Sequence, residues 1–387
     1  MIAALWIGLA LLASLISIRT AISVALIEII VGAVAGNIVP FAGSLAGVQA
    51  KLATTPWIDF LAGFGSILLT FLAGAEIEPE VLQKHWKPAL SIGFLSFLMP
   101  FLCALAVAYY VLNWSFHASM IAGIALSTTS VAVVYAVMLE TGLNKKDLGK
   151  LILASCFVTD LGTVLALGIV FANYNWWLGL FLGVSAVVLP LAPRLTRRFL
   201  RRYEGQVSEP EIKLLLFMLF VLGGLAAKAN SEAVLPAYIL GLVVAGALRH
   251  HKETVYHIRV AVFALLTPFY FLKAGALISA SALVQGALVI LLLLAVKVAA
   301  KFVGVYPTAK LFRMDNRVSM YTTLLMSTGL TFGTISAMFG LARNLIDSSQ
   351  YSTLVVVVIA SAVVPTLIAQ KWFQPHPTLL EENGNGV

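Results

Sequence analysis

The stretch GIALSTTSVAV, residues 123–133, sets four consecutive hydroxyl residues, Ser127, Thr128, Thr129 and Ser130, into an otherwise apolar run. A second stretch, LMSTGLTFGTIS at 325–336, repeats the pattern with Ser327, Thr328, Thr331, Thr334 and Ser336 around Gly329 and Gly333. Hydroxyls inside an apolar helix either bond back to preceding carbonyls and leave it intact, or mark a place where it unwinds. Unwound backbone at membrane depth survives only where it faces protein or a water-filled cavity. Two clusters at corresponding places of the two halves of the chain favour a broken helix in each half.

The surroundings make these membrane helices. The 387 residues are 60% hydrophobic and 11% charged, with a mean hydropathy of +0.98, which excludes an ordinary soluble domain. Runs of about 20 apolar residues, enough to cross a ~30 Å hydrocarbon core, recur along the chain. The fold class is an all-α polytopic membrane protein of about 13 transmembrane helices. They fall near 2–18, 21–40, 57–76, 88–113, 116–139, 149–172, 175–193, 211–229, 233–248, 257–278, 281–305, 317–340 and 351–371. The first lacks a basic start and a small-residue cleavage site, so it reads as a retained helix and not a signal peptide.

Basic residues test this set of spans together. With the N-terminus outside, the cytoplasmic loops hold nineteen of the 25 Lys and Arg, among them Arg194, Arg197, Arg198, Arg201 and Arg202. Lys51, Lys228 and Arg343 are left outside. A miscount by one span scrambles this asymmetry, so the expected topology is N-terminus outside and C-terminus cytoplasmic, in the cell (inner) membrane. The net charge of +8 is then a bias toward anionic lipid, and no nucleic-acid partner is needed to explain it.

The chain reads as one transmembrane transporter domain, 1–372, with a short cytoplasmic tail at 373–387. The hydrophilic stretch 193–211 is a cytoplasmic linker, first basic and then acidic. It separates 21–172 from 233–371, which are expected to be inverted five-helix repeats. Transporters built this way place their site where a broken helix from each repeat crosses at the bilayer midplane.

One acid lies deep in a span. Asp160, in SCFVTDLGT (155–163), follows Thr159 and precedes Gly162 and Thr163. An ionisable group at that depth is costly and marks a functional site, the competing account being an ion pair to Lys273, Lys297 or Lys301 that locks two helices. Near physiological pH a carboxylate in a partly dehydrated cavity can hold a proton or a small cation, though not both. Hydroxyls and freed carbonyls of the broken helices supply the neutral oxygens a hard monovalent cation requires. Competition at one carboxylate, with alternating access, suffices for cation/proton exchange.

The remaining charges receive blander readings. Glu28, Asp59, Glu76 and Glu232 lie at the ends or edges of spans, where packing or interfacial roles are commoner. Lys297 and Lys301 share a helix face, so mutual repulsion should make one of them snorkel to water. Lys273, in PFYFLKAGAL, either pairs with an acid or lines the ion path. Cys103 and Cys156 fall inside spans and read as small buried hydrophobes. The six histidines lie in loops or tails without metal-ligand spacing, so neither an enzyme nor a cofactor is expected.

Several segments resemble, in order and spacing, the second branch of the monovalent cation:proton antiporter superfamily, which includes bacterial sodium/proton antiporters and potassium efflux systems. They are EIIVGAVAG (28–36), LLTFLAGAEIEP (68–79), STTSVAVV (127–134), CFVTDLGT (156–163), PFYFLKAGALI (268–278) and AAKFVG (299–304). The resemblance implies the sodium/proton antiporter fold, a core domain with two crossed broken helices moving against a dimerisation domain, usually in a homodimer. It makes Asp160 the ion- and proton-binding carboxylate, puts Thr129 and Ser130 at the crossing, and matches Lys301 to the family's buried basic residue. Thr128, Thr159 and, on the second broken helix, Thr328 and Thr331 complete the candidate site, with Lys301 and Lys273 as supporting charges.

Two departures bear on mechanism. Electrogenic relatives have a second acid where this chain has Thr159, so electroneutral one-for-one exchange is expected and Lys301 loses its usual partner. Where sodium-type relatives carry an Arg and a Glu, this chain has Gly329 and Thr331. The expected function is exchange of Na+, or alternatively Li+ or K+, for H+. The rival readings are a sodium-coupled organic-anion symporter of similar fold and a passive ion channel.

Overall fold

A computed structural model describes residues 2–20, 23–38, 56–75, 86–143, 146–171, 175–229, 233–249 and 251–375. The helices, in chain order, are α1 (Ile2–Thr20), α2 (Val24–Ile38), α3 (Pro56–Ala75), α4 (Trp86–Ala106), α5 (Phe116–Ser127), α6 (Val131–Glu140), α7 (Asp147–Val170), α8 (Trp176–Tyr203) and α9 (Pro210–Lys228). They continue with α10 (Val234–Leu248), α11 (Lys252–Ala261), α12 (Thr267–Ala276), α13 (Ala280–Gln285), α14 (Ala287–Leu311), α15 (Asn316–Met326), α16 (Thr331–Ala342) and α17 (Ser348–Trp372). Two π-helical turns, Val107–Val111 and Val262–Leu266, extend α4 and join α11 to α12.

Among the described residues, 11 spans are long and apolar enough to cross a membrane, the chain therefore being a multi-pass membrane protein. Two shorter apolar helices, Val24–Asn37 and Val234–Leu248, fall where two further spans were expected. Local sequence explains the helix starts. Ser115 caps α5, its Oγ accepting from Ala118 N at 3.2 Å, and Asn175 caps α8, its Oδ1 accepting from Leu178 N at 2.9 Å. Asp347 and Gln350 form a reciprocal capping box on α17.

The structure shifts some boundaries. Helix α8 runs through Pro190 and Pro193 to Tyr203, ten residues past the expected end, so the first half of 193–211 is helical. Its last three turns carry the arginines, whose long side chains suit a helix end in the polar layer.

Contacts divide the chain into two units. The first comprises 1–10, 50–79 and 164–273. Within it α3 and α10 approach closely, the backbone of Phe71 lying against Gly241, and Trp6 stacks on Phe269 with centroids 5.5 Å apart. Asn175 Nδ2 donates to Ala229 O at 3.1 Å, fixing the start of α8 beside the end of α9.

The second unit comprises 11–49, 80–163 and 274–387. Its core gathers Ile92, Val134, Met138, Ile152, Cys156, Tyr321, Leu325 and Met326, all fully buried. Gly93 brings α4 and α7 together: a Cβ there would lie 2.6 Å from Ser155 O and 2.5 Å from Val158 Cβ. Any larger residue would push α7, and Asp160 with it, away from α4.

Candidate functional site

Both hydroxyl clusters interrupt their helices. The first helix stops at Ser127 and resumes at Val131; the second stops at Met326 and resumes at Thr331. The hydroxyls serve backbone groups that the breaks leave open. Ser127 Oγ donates to Ile124 O at 2.8 Å and Thr128 Oγ1 to Ala125 O at 3.0 Å, which occupies carbonyls at the end of α5. Ser130 Oγ accepts from Val133 N at 3.3 Å and caps α6. On the second helix Thr328 Oγ1 donates to Leu325 O at 2.8 Å.

The two breaks meet. Ser130 N donates to Thr328 O at 3.2 Å and approaches Thr328 Oγ1 at 3.3 Å, while Thr129 Oγ1 donates to Met326 O at 2.9 Å. Thr128, Thr129, Ser130 and Thr328 are all buried. Unwound backbone is thus paired across the junction, as membrane depth requires.

Helix α14 sends two lysines to this junction. Lys301 Nζ donates to Ser127 O at 2.8 Å, Ser96 Oγ at 2.7 Å and Thr129 Oγ1 at 3.0 Å, so all three ammonium donors are used. Its charge sits against the carbonyl end of α5, where the helix dipole favours a cation. Lys297, one turn earlier, faces the other break. A Cβ on Gly329 would collide with Lys297 Nζ and lie 3.0 Å from Thr128 Oγ1 and 3.3 Å from Ser361 Oγ. Gly329 therefore leaves the space that Lys297 fills.

The expected snorkelling does not occur. Lys297 and Lys301 are both 0% exposed, because each points to a different broken helix. Lys297 Nζ has no hydrogen-bond partner.

Asp160 lies just past the middle of α7 and is 1% exposed, with a buried Oδ1 that no donor reaches. Lys301 is close enough to interact with it electrostatically. Thr159 Oγ1 lies 3.1 Å from Gly93 O and 3.0 Å from Ser155 O, so its hydroxyl is held by backbone of α4 and its own helix.

Other candidates fall elsewhere. Thr331 opens α16 beside the second break. Lys273 belongs to the first unit, where it pairs with Asp59, and is not among the residues at the junction. Glu28 is interior and not at an edge: it is 1% exposed within α2, with Oε2 unpartnered. Cys156 is buried, but Cys103 is exposed. Two histidines expected in loops are helical: His117 is the second residue of α5, and His257 lies in the middle of α11. Glu76, Glu232, His85, His250 and His376 lie outside the described residues.

Sequence reading missed Ser96, a lone serine in an apolar run, and the steric pairing of Lys297 with Gly329. Gly329 beside a hydroxyl cluster was the available signal for the second.

A family model described as "Sodium/hydrogen exchanger, transmembrane" matches residues 7–373. The chain is 26% identical over 351 residues to the Na(+)/H(+) antiporter of Enterococcus hirae, covering 84% of this chain and 88% of that one. It is 25% identical over 345 residues to the Na(+)/H(+) antiporter NhaS4 of a Synechocystis strain, covering 84% of each. Among solved structures, the sodium proton antiporter MjNhaP1 from Methanocaldococcus jannaschii at pH 8 matches with a TM-score of 0.69 and 14% identity, over 96% of this chain and 98% of that one. That likeness shows a common fold.

Proposed function

The chain belongs to the sodium/hydrogen exchanger family, and from that premise we propose that it is a secondary antiporter exchanging a monovalent cation, Na+ in the first place, for H+ by alternating access. The observation that carries the reading is Asp160: one carboxylate, 1% exposed, with an unserved buried oxygen, in electrostatic reach of the lysine, Lys301, that binds the first break. A group so placed can hold a proton or a cation in turn, and alternating access would open it to each side.

The proposed coupling is electroneutral. Lys301 is held by three neutral oxygens, and Thr159 cannot ionise. Only Asp160 changes occupancy, one Na+ on one passage and one H+ on the other. The cycle is placed in the cell membrane with the N-terminus outside, on the asymmetry of the basic residues, and the working unit is a homodimer, as the family resemblance implies.

The test uses proteoliposomes holding a trapped pH dye. Adding Na+ should dissipate a preset proton gradient, and Asp160→Asn should abolish this; unaltered exchange in the variant would sink the assignment. Running Li+, Na+ and K+ in the same assay fixes the cation.

A further inference from the structure

We infer that α8 carries a binding site for an anionic phospholipid, built on Arg194, Arg198 and Arg201 and flanked by Arg197 and Arg202. The dimensions of α8 place it. At ~1.5 Å per residue its 28 residues reach about 42 Å, against ~30 Å for hydrocarbon and ~40–45 Å with both headgroup layers. Trp176 and Trp177, both exposed, begin the helix as aromatic anchors of one interface. About 20 residues later the hydrocarbon ends near Thr196. The arginines therefore lie in the opposite headgroup layer.

The pattern on the helix face matches an amphiphile. Leu180, Val187 and Leu191 are exposed, and their helical spacing continues through Arg194, Arg198 and Arg201. Phe181, Ser185, Ala192, Thr196 and Leu200 are buried on the other side. Acyl chains lie along the apolar stripe, and the phosphate then meets the row of guanidiniums. A general excess of positive charge near a loop does not require such alignment.

The row is also uncompensated. Among the described residues none of the five arginines donates to a carboxylate. Two acids that follow on the chain are engaged elsewhere, Glu204 Oε2 with His251 Nδ1 at 2.7 Å and Glu209 Oε1 with His257 Nδ1 at 2.6 Å, and a third, Glu211, is buried. The five arginines line an open cleft of ≈ 570 Å³. Guanidinium grips phosphate through paired N–H donors, and a phosphate here relieves repulsion among five like charges within three turns. A second copy of the chain fits worse, since a twofold contact sets the row against itself.

The experiment takes the purified full chain and measures, by native mass spectrometry, the lipid retained from equal amounts of phosphatidylglycerol and phosphatidylcholine. Phosphatidylglycerol should be retained in preference. In the triple variant R194Q/R198Q/R201Q its retention should fall about fivefold per charge removed, with phosphatidylcholine unchanged. Equal retention of the two lipids by the wild type, or undiminished phosphatidylglycerol on the variant, overturns the site. Displacement of the lipid by inorganic phosphate at matched concentration overturns it as a lipid site. The wild type gives an independent answer should the variant not fold: bound phosphatidylglycerol must decline as sodium chloride is raised, and indifference to salt overturns the proposal.

Discussion

Lys297 and Lys301 show how far two identical residues on successive turns can differ. Lys301 spends its three donors on Ser127 O, Ser96 and Thr129. Replacing it with Met leaves those groups buried without their donor, and we expect Lys301→Met to cost about 3 kcal/mol. Lys297 has no partner to abandon, so Lys297→Met exchanges a buried ammonium for an apolar chain of similar length. That change should be neutral or stabilising, by up to about 2 kcal/mol. Thermal unfolding of the two variants in one detergent checks both, and a larger loss for Lys297→Met refutes the distinction. Gly329 supplies a second prediction. Gly329→Ala drives a Cβ into Lys297 Nζ, so it should be costly in the wild type and mild in a Lys297→Ala background. A double-mutant cycle should return a coupling of at least about 0.5 kcal/mol; additivity would mean that the two do not share the space.

The broken helices were legible because their signal is local: runs of hydroxyl residues within an apolar span need no distant partner to be recognised. Ser127–Ser130 and Ser327–Thr328 announce the breaks in the sequence itself. Asp160 was legible for a related reason, since a carboxylate within an apolar run has few explanations. The burial of both lysines was not legible, because repulsion between neighbours argues for snorkelling and only the junction reveals that each faces a different break. Ser96 was hidden likewise; its significance comes from Lys301, 205 residues away. The far end of α8 misled by composition, since a basic, proline-containing stretch resembles a loop while its exposed arginines continue a helix. At this scale Thr129 is the joint. Its hydroxyl donates to Met326 O at 2.9 Å and accepts from Lys301 at 3.0 Å, tying α5, α15 and α14 together. Thr129→Val keeps the shape and removes both bonds. Exchange should fall by at least about tenfold while the protein remains folded, with a stability loss of about 1–2 kcal/mol. Wild-type exchange with an intact fold would show that the junction does not depend on this hydroxyl.

For the whole molecule the consequence of a single titratable seat is a charge balance that can be measured. If Na+ and H+ exclude one another at Asp160, then lowering the pH must raise the external Na+ needed for half-maximal exchange. The rise approaches about tenfold per pH unit once the proton outcompetes the cation, as linkage between two ligands of one site requires. The maximal rate at saturating Na+ should change far less over that range. Two independent sites would give the reverse, with a falling rate and a stable half-saturation point. On the proposed one-for-one exchange at Asp160, no net charge moves. In that scheme each full cycle returns Asp160 neutralised by one cation or one proton, while Lys301 stays fixed among neutral oxygens. Imposing a membrane potential with K+ and valinomycin should therefore leave the Na+-driven rate unchanged within a factor of about 2, whereas a stoichiometry of two protons per Na+ would couple the cycle to the potential at about 2.3 kcal/mol per charge per 100 mV. A strong response would mean that a second group carries a proton during the cycle. Glu28 and Lys297, buried ionisable side chains with an unpartnered polar atom in the same unit, would then be the residues to substitute, Glu28→Gln and Lys297→Met, in search of the variant that restores indifference to voltage.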